Sequence, residues 1–146
     1  MTLKFDTATV LRGAAIYDLI ITGGLIFSPL VHFVLGVLIR MDGLLGFHTS
    51  FGSLDATTVF FINLAAASVI AWSLIRLRQP TPEALRIDIL YRGLLIVLQI
   101  WAVARGATPV LLGISLVLAA IAAIELRALL HPASAKATRP HQHQKE

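Results

Sequence analysis

The chain has 146 residues, of which 57% are hydrophobic and only 14% charged, and its mean hydropathy is +0.82. A soluble domain carries about 25% charged residues, so there is too little polar surface here to wrap an ordinary globule. Several apolar runs have the length a bilayer span needs, which sets aside the alternative of a helical core inside a soluble complex. The absence of cysteine excludes disulfides, thiolate catalysis and cysteine-ligated metals. The formal net charge is +4. The basic residues stand at the ends of apolar runs and form no continuous patch, so nucleic acid is not an expected partner.

Residues 1–9 are short and mixed, with no basic leader and no small-residue cleavage site, so the first apolar run reads as retained. That run spans about residues 8–28 (ATVLRGAAIYDLIITGGLIFS), close to the ~20 residues a helix needs to cross. Arg12 can snorkel to the interface, but Asp18 lies well inside. Gly23, Gly24 and Ser28 allow close helix approach, and Pro29 marks a break or kink.

Residues 30–54 are the least regular part. Their first dozen or so, up to Met41, are apolar, and glycines follow at 36, 43, 46 and 52. Glycine disfavours a long helix. The expectation is a short interfacial helix followed by a loop, with a tilted continuation of the first span to Ile39 as the other reading.

The second span is expected at about residues 56–77, with Asp55 as its N-cap, Arg76 and Arg78 closing it, and Trp72 near the interface. Asn63 is its one strongly polar interior residue. Pro80 and Pro82 end this helix and start the next. The third span, about 86–104 (RIDILYRGLLIVLQIWAVA), carries Asp88, Arg92 and Gln99. Spacings of four and seven place these three on one helical face, which must look at protein or water rather than lipid. A tight connection at Arg105–Gly106 leads to the fourth span, about 109–130. There Ser115, Ala119 and Ala123 repeat every four residues as a small-residue face suited to close packing. Residues 133–146 are polar and read as a disordered cytoplasmic tail. The fold class expected is therefore all-α, an integral-membrane four-helix bundle with a short interfacial helix between spans one and two.

If four spans leave the N-terminus, the 78–86 linker and the tail on one side, that side or its flanks hold ten of the twelve Lys and Arg residues, against Arg40 and Arg105 opposite. The positive-inside rule then makes both termini cytoplasmic. The Arg- and Ala-rich composition points to a bacterial inner membrane. Threading also gives depth. At ~1.5 Å per residue, Asp18, Arg92 and Glu125 share a level about 8–15 Å from the cytoplasmic face, and Asn63 and Gln99 share a second level about 8–10 Å from the other. A charge at mid-bilayer costs about 2.5–3.5 kcal/mol on insertion scales. Arg92 is thus expected to bridge Asp18 and Glu125, either to fix helix order or as part of a proton, ion or small-substrate pathway. Asn63 and Gln99 are expected to form an interhelical amide hydrogen bond.

No in-span pair of histidines suits a haem, and no His pair has metal-site spacing. His141 and His143 belong to a polar tail. Nothing in the sequence names a cofactor or a catalytic residue. Arg12–Gly13 followed by Ile16–Tyr17–Asp18–Leu19 and then Phe27–Ser28–Pro29 resembles the opening of small uncharacterised bacterial four-span proteins, some loosely DoxX-like. Ser28 separates Phe from Pro here, and Gly13 directly follows Arg12, unlike the family pattern. The resemblance covers the first span and implies architecture alone. Three functions follow as expectations: an accessory or assembly subunit of a membrane complex, a small oligomeric transporter or channel using the charged level, and a lipid- or quinone-handling membrane enzyme. The partners expected are the lipid bilayer and other membrane subunits or further copies of the chain.

Overall fold

The structure, a computed structural model, describes residues 6–131. Within them every regular element is helical. In order they are α1 (Thr7–Thr22), a 3-10 turn (Gly23–Ile26), α2 (Ser28–Leu44), α3 (Ala56–Arg78), α4 (Pro82–Ala104) and α5 (Val110–Leu130). Four stretches are long and apolar enough to cross a membrane: Thr7–Ile26, Ala56–Arg78, Pro82–Ala104 and Val110–Leu130. The tail expected at 133–146 lies outside the described residues.

Local chemistry sets most helix ends. The Asp55 carboxylate accepts the Thr58 amide at 2.7 Å, the N-cap expected of α3. Thr81 caps α4 through its hydroxyl, which accepts the Ala84 amide at 3.1 Å. Because Pro82 occupies the first turn, where a missing N–H costs nothing, α4 starts four residues earlier than the Arg86 expected from hydropathy. The turn between α4 and α5 passes through Gly106 at φ +99°, a conformation that favours glycine.

The 28–44 helix differs most from expectation. Phe27, with φ −104° and ψ 121°, breaks the chain out of the first span, and Pro29 opens α2. The helix then runs 17 residues, through Gly36 and Gly43, before a loop begins. Each glycine costs about 1 kcal/mol of helix propensity. An unpaired backbone group in an apolar environment costs several, so helix wins over that stretch.

The backbones of α4 and α5 pack closely along one another, as do those of α1 and α3, and α1 also touches α5 and α4. The short 79–81 link predicts close packing of α3 on α4 as well. These two instead meet through long side chains, Trp72 and Arg76 of α3 reaching Asp88 of α4. A small apolar core of Leu11, Ala84, Leu85 and Ala128 lies about one to two turns from the buried charges, on the side of the α1 N-terminus and the α5 C-terminus. Large apolar side chains on every helix point outward, among them Ile20, Phe61, Leu90, Leu98, Leu116 and Leu130.

Candidate functional site: a buried ionic cluster

Five charged side chains from four helices converge in the interior. Arg76 of α3 and Arg92 of α4 are buried between Asp18 of α1, Asp88 of α4 and Glu125 of α5. Arg76 donates from Nη1 to Asp88 Oδ2 at 2.6 Å, and from Nη2 to Asp18 Oδ2 at 2.6 Å and to Ser73 Oγ at 2.8 Å. Arg92 donates from Nη2 to Asp18 Oδ2 at 3.0 Å and to Asp88 Oδ2 at 3.2 Å. Its Nε–H is forked between the Glu125 oxygens at 3.2 and 3.3 Å. The indole Nε1–H of Trp72 donates to the remaining Asp88 oxygen at 2.8 Å, and the Arg76 guanidinium stands 5.8 Å from the Trp72 ring centre.

Each helix supplies its member through an inward stripe. On α3, Val59, Ala66 and Ser73 are buried at seven-residue intervals, and Arg76 sits one turn further on the same face. On α4, Asp88 and Arg92 are four apart and both buried. On α5 the buried stripe is Ser115, Leu118, Glu125 and Ala128. Small residues there and on α3 leave room for the guanidiniums. A planar guanidinium presents five donors in a fixed fork, so each arginine can hold two carboxylates in one defined geometry. Isolated, each of these charges would carry the insertion cost of an intramembrane ion. Gathered together, every carboxylate has a cationic donor.

Asp18, Arg92 and Glu125, expected at one level, are in direct contact: Arg92 touches both acids. Two members were not expected there. Asp88, on the same α4 face as Arg92, joins Asp18 and Glu125 by accepting from both arginines. Arg76, two residues from the end of its helix, reads from hydropathy as an interfacial residue, yet it is fully buried. Trp72 likewise serves the cluster rather than the interface alone.

Asn63 and Gln99, expected to bond each other, do not. Gln99 accepts from Ser115 Oγ at 2.6 Å, tying α4 to α5. Asn63 donates to Ser28 Oγ at 3.3 Å, tying α3 to the start of α2. Equal depth on two helices does not fix the same azimuth, and a serine on the adjacent helix was closer in each case. The Ser28–Asn63 pair lines an open cleft of about 430 Å³ with His32, Leu54 and Phe60.

A second polar knot, unforeseen from sequence, forms at the other end of α2. Asp42, buried, accepts the Thr49 amide at 2.7 Å, the Thr49 hydroxyl at 2.7 Å and the Thr108 hydroxyl, joining α2, the 45–55 loop and the α4–α5 turn. Burial works to raise the Asp42 pKa, but hydrogen bonds from Thr108 and Thr49 outweigh it and hold the carboxyl below its ordinary 3.8.

Of the small-residue repeat on α5, Ser115 is buried while Ala119 and Ala123 are exposed. A four-residue step turns about 40° on a 3.6-residue helix, so the repeat winds from the interior to the outer surface. Trp101 is exposed, with the Arg105 guanidinium 5.3 Å from its ring centre. Among the described residues no three His, Asp or Glu side chains are grouped as metal ligands. Comparison with protein-family models, with curated proteins and with solved structures finds no match to this chain.

Proposed function

We propose that this chain is a small inner-membrane protein of a bacterium, a four-helix bundle with both termini cytoplasmic, that serves as an accessory or assembly subunit of a larger membrane complex. The observation that carries this reading is the closure of the ionic cluster upon itself. Each of its acids accepts from an arginine, and the apolar core of Leu11, Leu85 and Ala128 stands between them and the near helix ends. The groove between α1 and α5 and the hollow between α3 and α4 have no ionic residue in their linings. Chemistry spent on holding helices together leaves the outer apolar surface, with Ala119 and Ala123 on it, as the part that meets partners. In this reading α2 is the interfacial helix that ties the outer ends of α3 and α5.

The test is gentle solubilisation at native abundance, followed by sizing and identification of what travels with the chain. Co-migration with a defined larger complex supports the subunit role. A transporter is the second reading, favoured by the intramembrane acid–arginine cluster itself. Proteoliposome flux that disappears in Asp18→Asn or Glu125→Gln, with no co-migrating partner, would replace the first reading by the second.

A further inference from the structure

The cluster encloses three carboxylates and two guanidiniums, so its formal charges leave one negative charge without a counter-charge. Among the described residues, no other charged side chain at this end of the helices bonds to the cluster. Arg12 on α1, Arg78 on α3, Glu83 and Arg86 on α4 and Arg127 on α5 are all exposed. On α2, which also touches α5, Asp42 is engaged with Thr49 and Thr108. Tyr17 and Tyr91, both half-buried on the neighbouring faces, are phenols and carry no positive charge in any state, so neither is a counter-charge. An uncompensated charge in a low-dielectric interior is relieved by taking up a proton.

Hydrogen bonding singles out one carboxyl. Asp18 accepts from both guanidiniums, and Asp88 accepts from Arg76, Arg92 and Trp72. Glu125 is fully buried and receives only the forked Nε–H of Arg92. Its one cation, Arg92, is shared with the Asp18 and Asp88 carboxylates, so Glu125 is the acid with the least compensation. We infer that the cluster is a binding site for one proton, held at neutral pH on Glu125, which brings the five side chains to zero net charge. The proton belongs to the folded cluster whichever partner or substrate the protein serves, and its loss at alkaline pH leaves three carboxylates against two guanidiniums among α1, α3, α4 and α5.

Infrared spectroscopy of the whole protein in lipid vesicles at pH 7 tests this directly. Separate preparations carry carbon-13 in the glutamate or the aspartate side-chain carboxyl. The expected result is a protonated-carboxyl C=O band in the wild type that shifts with labelled glutamate, does not shift with labelled aspartate, and is absent from Glu125→Gln. Glutamine keeps the shape and the donor of a protonated glutamate, so this variant is expected to fold. Asp18→Asn balances the charges without the proton, and it too is expected to lose the band although Glu125 is intact. No such band in the labelled wild type, a shift with aspartate instead, or a band that persists in either variant overturns the inference. The labelled wild type decides alone if Asp18→Asn does not fold.

Discussion

Arg76 and Asp18, 58 residues apart in the chain, meet at 2.6 Å between Nη2 and Oδ2 in the interior of the protein. The contact joins α1 to α3, and the same guanidinium reaches Asp88 on α4 through Nη1. One side chain therefore ties three helices, including two whose backbones do not pack closely.

Replacing Arg76 by leucine leaves Asp18 and Asp88 each short of a cation in a buried site. Breaking a buried ion pair from one side costs about 3–5 kcal/mol, and denaturant unfolding of the purified protein in detergent is expected to show a loss of that size. Arg76→Lys is expected to recover little of it, because a single ammonium cannot reproduce the fork to two carboxylates and Ser73. Stability of Arg76→Leu within about 0.5 kcal/mol of wild type, the range of an ordinary surface change, would contradict the burial assigned to it.

The tryptophans separate cleanly. Trp72→Phe removes the indole donor from a buried carboxylate and is expected to cost about 1–3 kcal/mol. Trp101→Phe, on an exposed side chain, is expected to change stability by less than about 0.5 kcal/mol. Thermal unfolding of the two variants side by side checks this. Equal losses would mean that the Trp72–Asp88 hydrogen bond adds nothing.

The sequence made Asp18, Arg92 and Glu125 legible because each interrupts a long apolar run, and threading assigns a depth to every such residue. Arg76 was hidden by its place near a helix end, where arginine ordinarily snorkels. The signal that exposes it is periodic: Val59, Ala66 and Ser73 mark the inward face of α3, and Arg76 continues that face while Arg78 does not. Partner choice for Asn63 and Gln99 was not legible. Depth comes from counting residues, but azimuth comes from packing. The length of α2 exceeds what its glycines suggest because glycine propensity measured in water undervalues the hydrogen bonds a backbone must keep in apolar surroundings. The Asp42 knot depends on a loop bringing Thr49 back onto the helix, which no periodicity records.

Asp42 supplies a pH prediction. Its folded-state pKa is depressed, so its contribution is present above the unfolded-state value near 4 and is lost as pH falls through the lower folded value. Hydrogen exchange at the Thr49 amide, which donates to Asp42, is expected to keep its protection down to about pH 4 and to lose it only at lower pH, relative to amides in the middle of α4. Asp42→Ala is expected to show the same loss at neutral pH. Unchanged protection in the variant would remove the knot from the account.

Threading predicts opposite fates for two reporter fusions. A reporter after His131 is expected to be active only as a cytoplasmic fusion, and one within the loop between Gly43 and Ser53 only as an exterior one. The reverse pattern, or the same side for both, would contradict the orientation proposed above.

The most direct measurement of the central claim, that buried charges hold these helices together by satisfying one another, is the folded yield of Arg92→Leu against that of the triple variant Arg92→Leu, Asp18→Leu, Glu125→Leu. The single change leaves Arg76 as the one cation among three acids, and the yield is expected to fall sharply. The triple change leaves the Arg76–Asp88 pair, 2.6 Å apart and bonded to Trp72, as a neutral remnant, and the yield is expected to recover in part. A yield for Arg92→Leu equal to wild type, or a triple variant that folds no better than the single one, would contradict it.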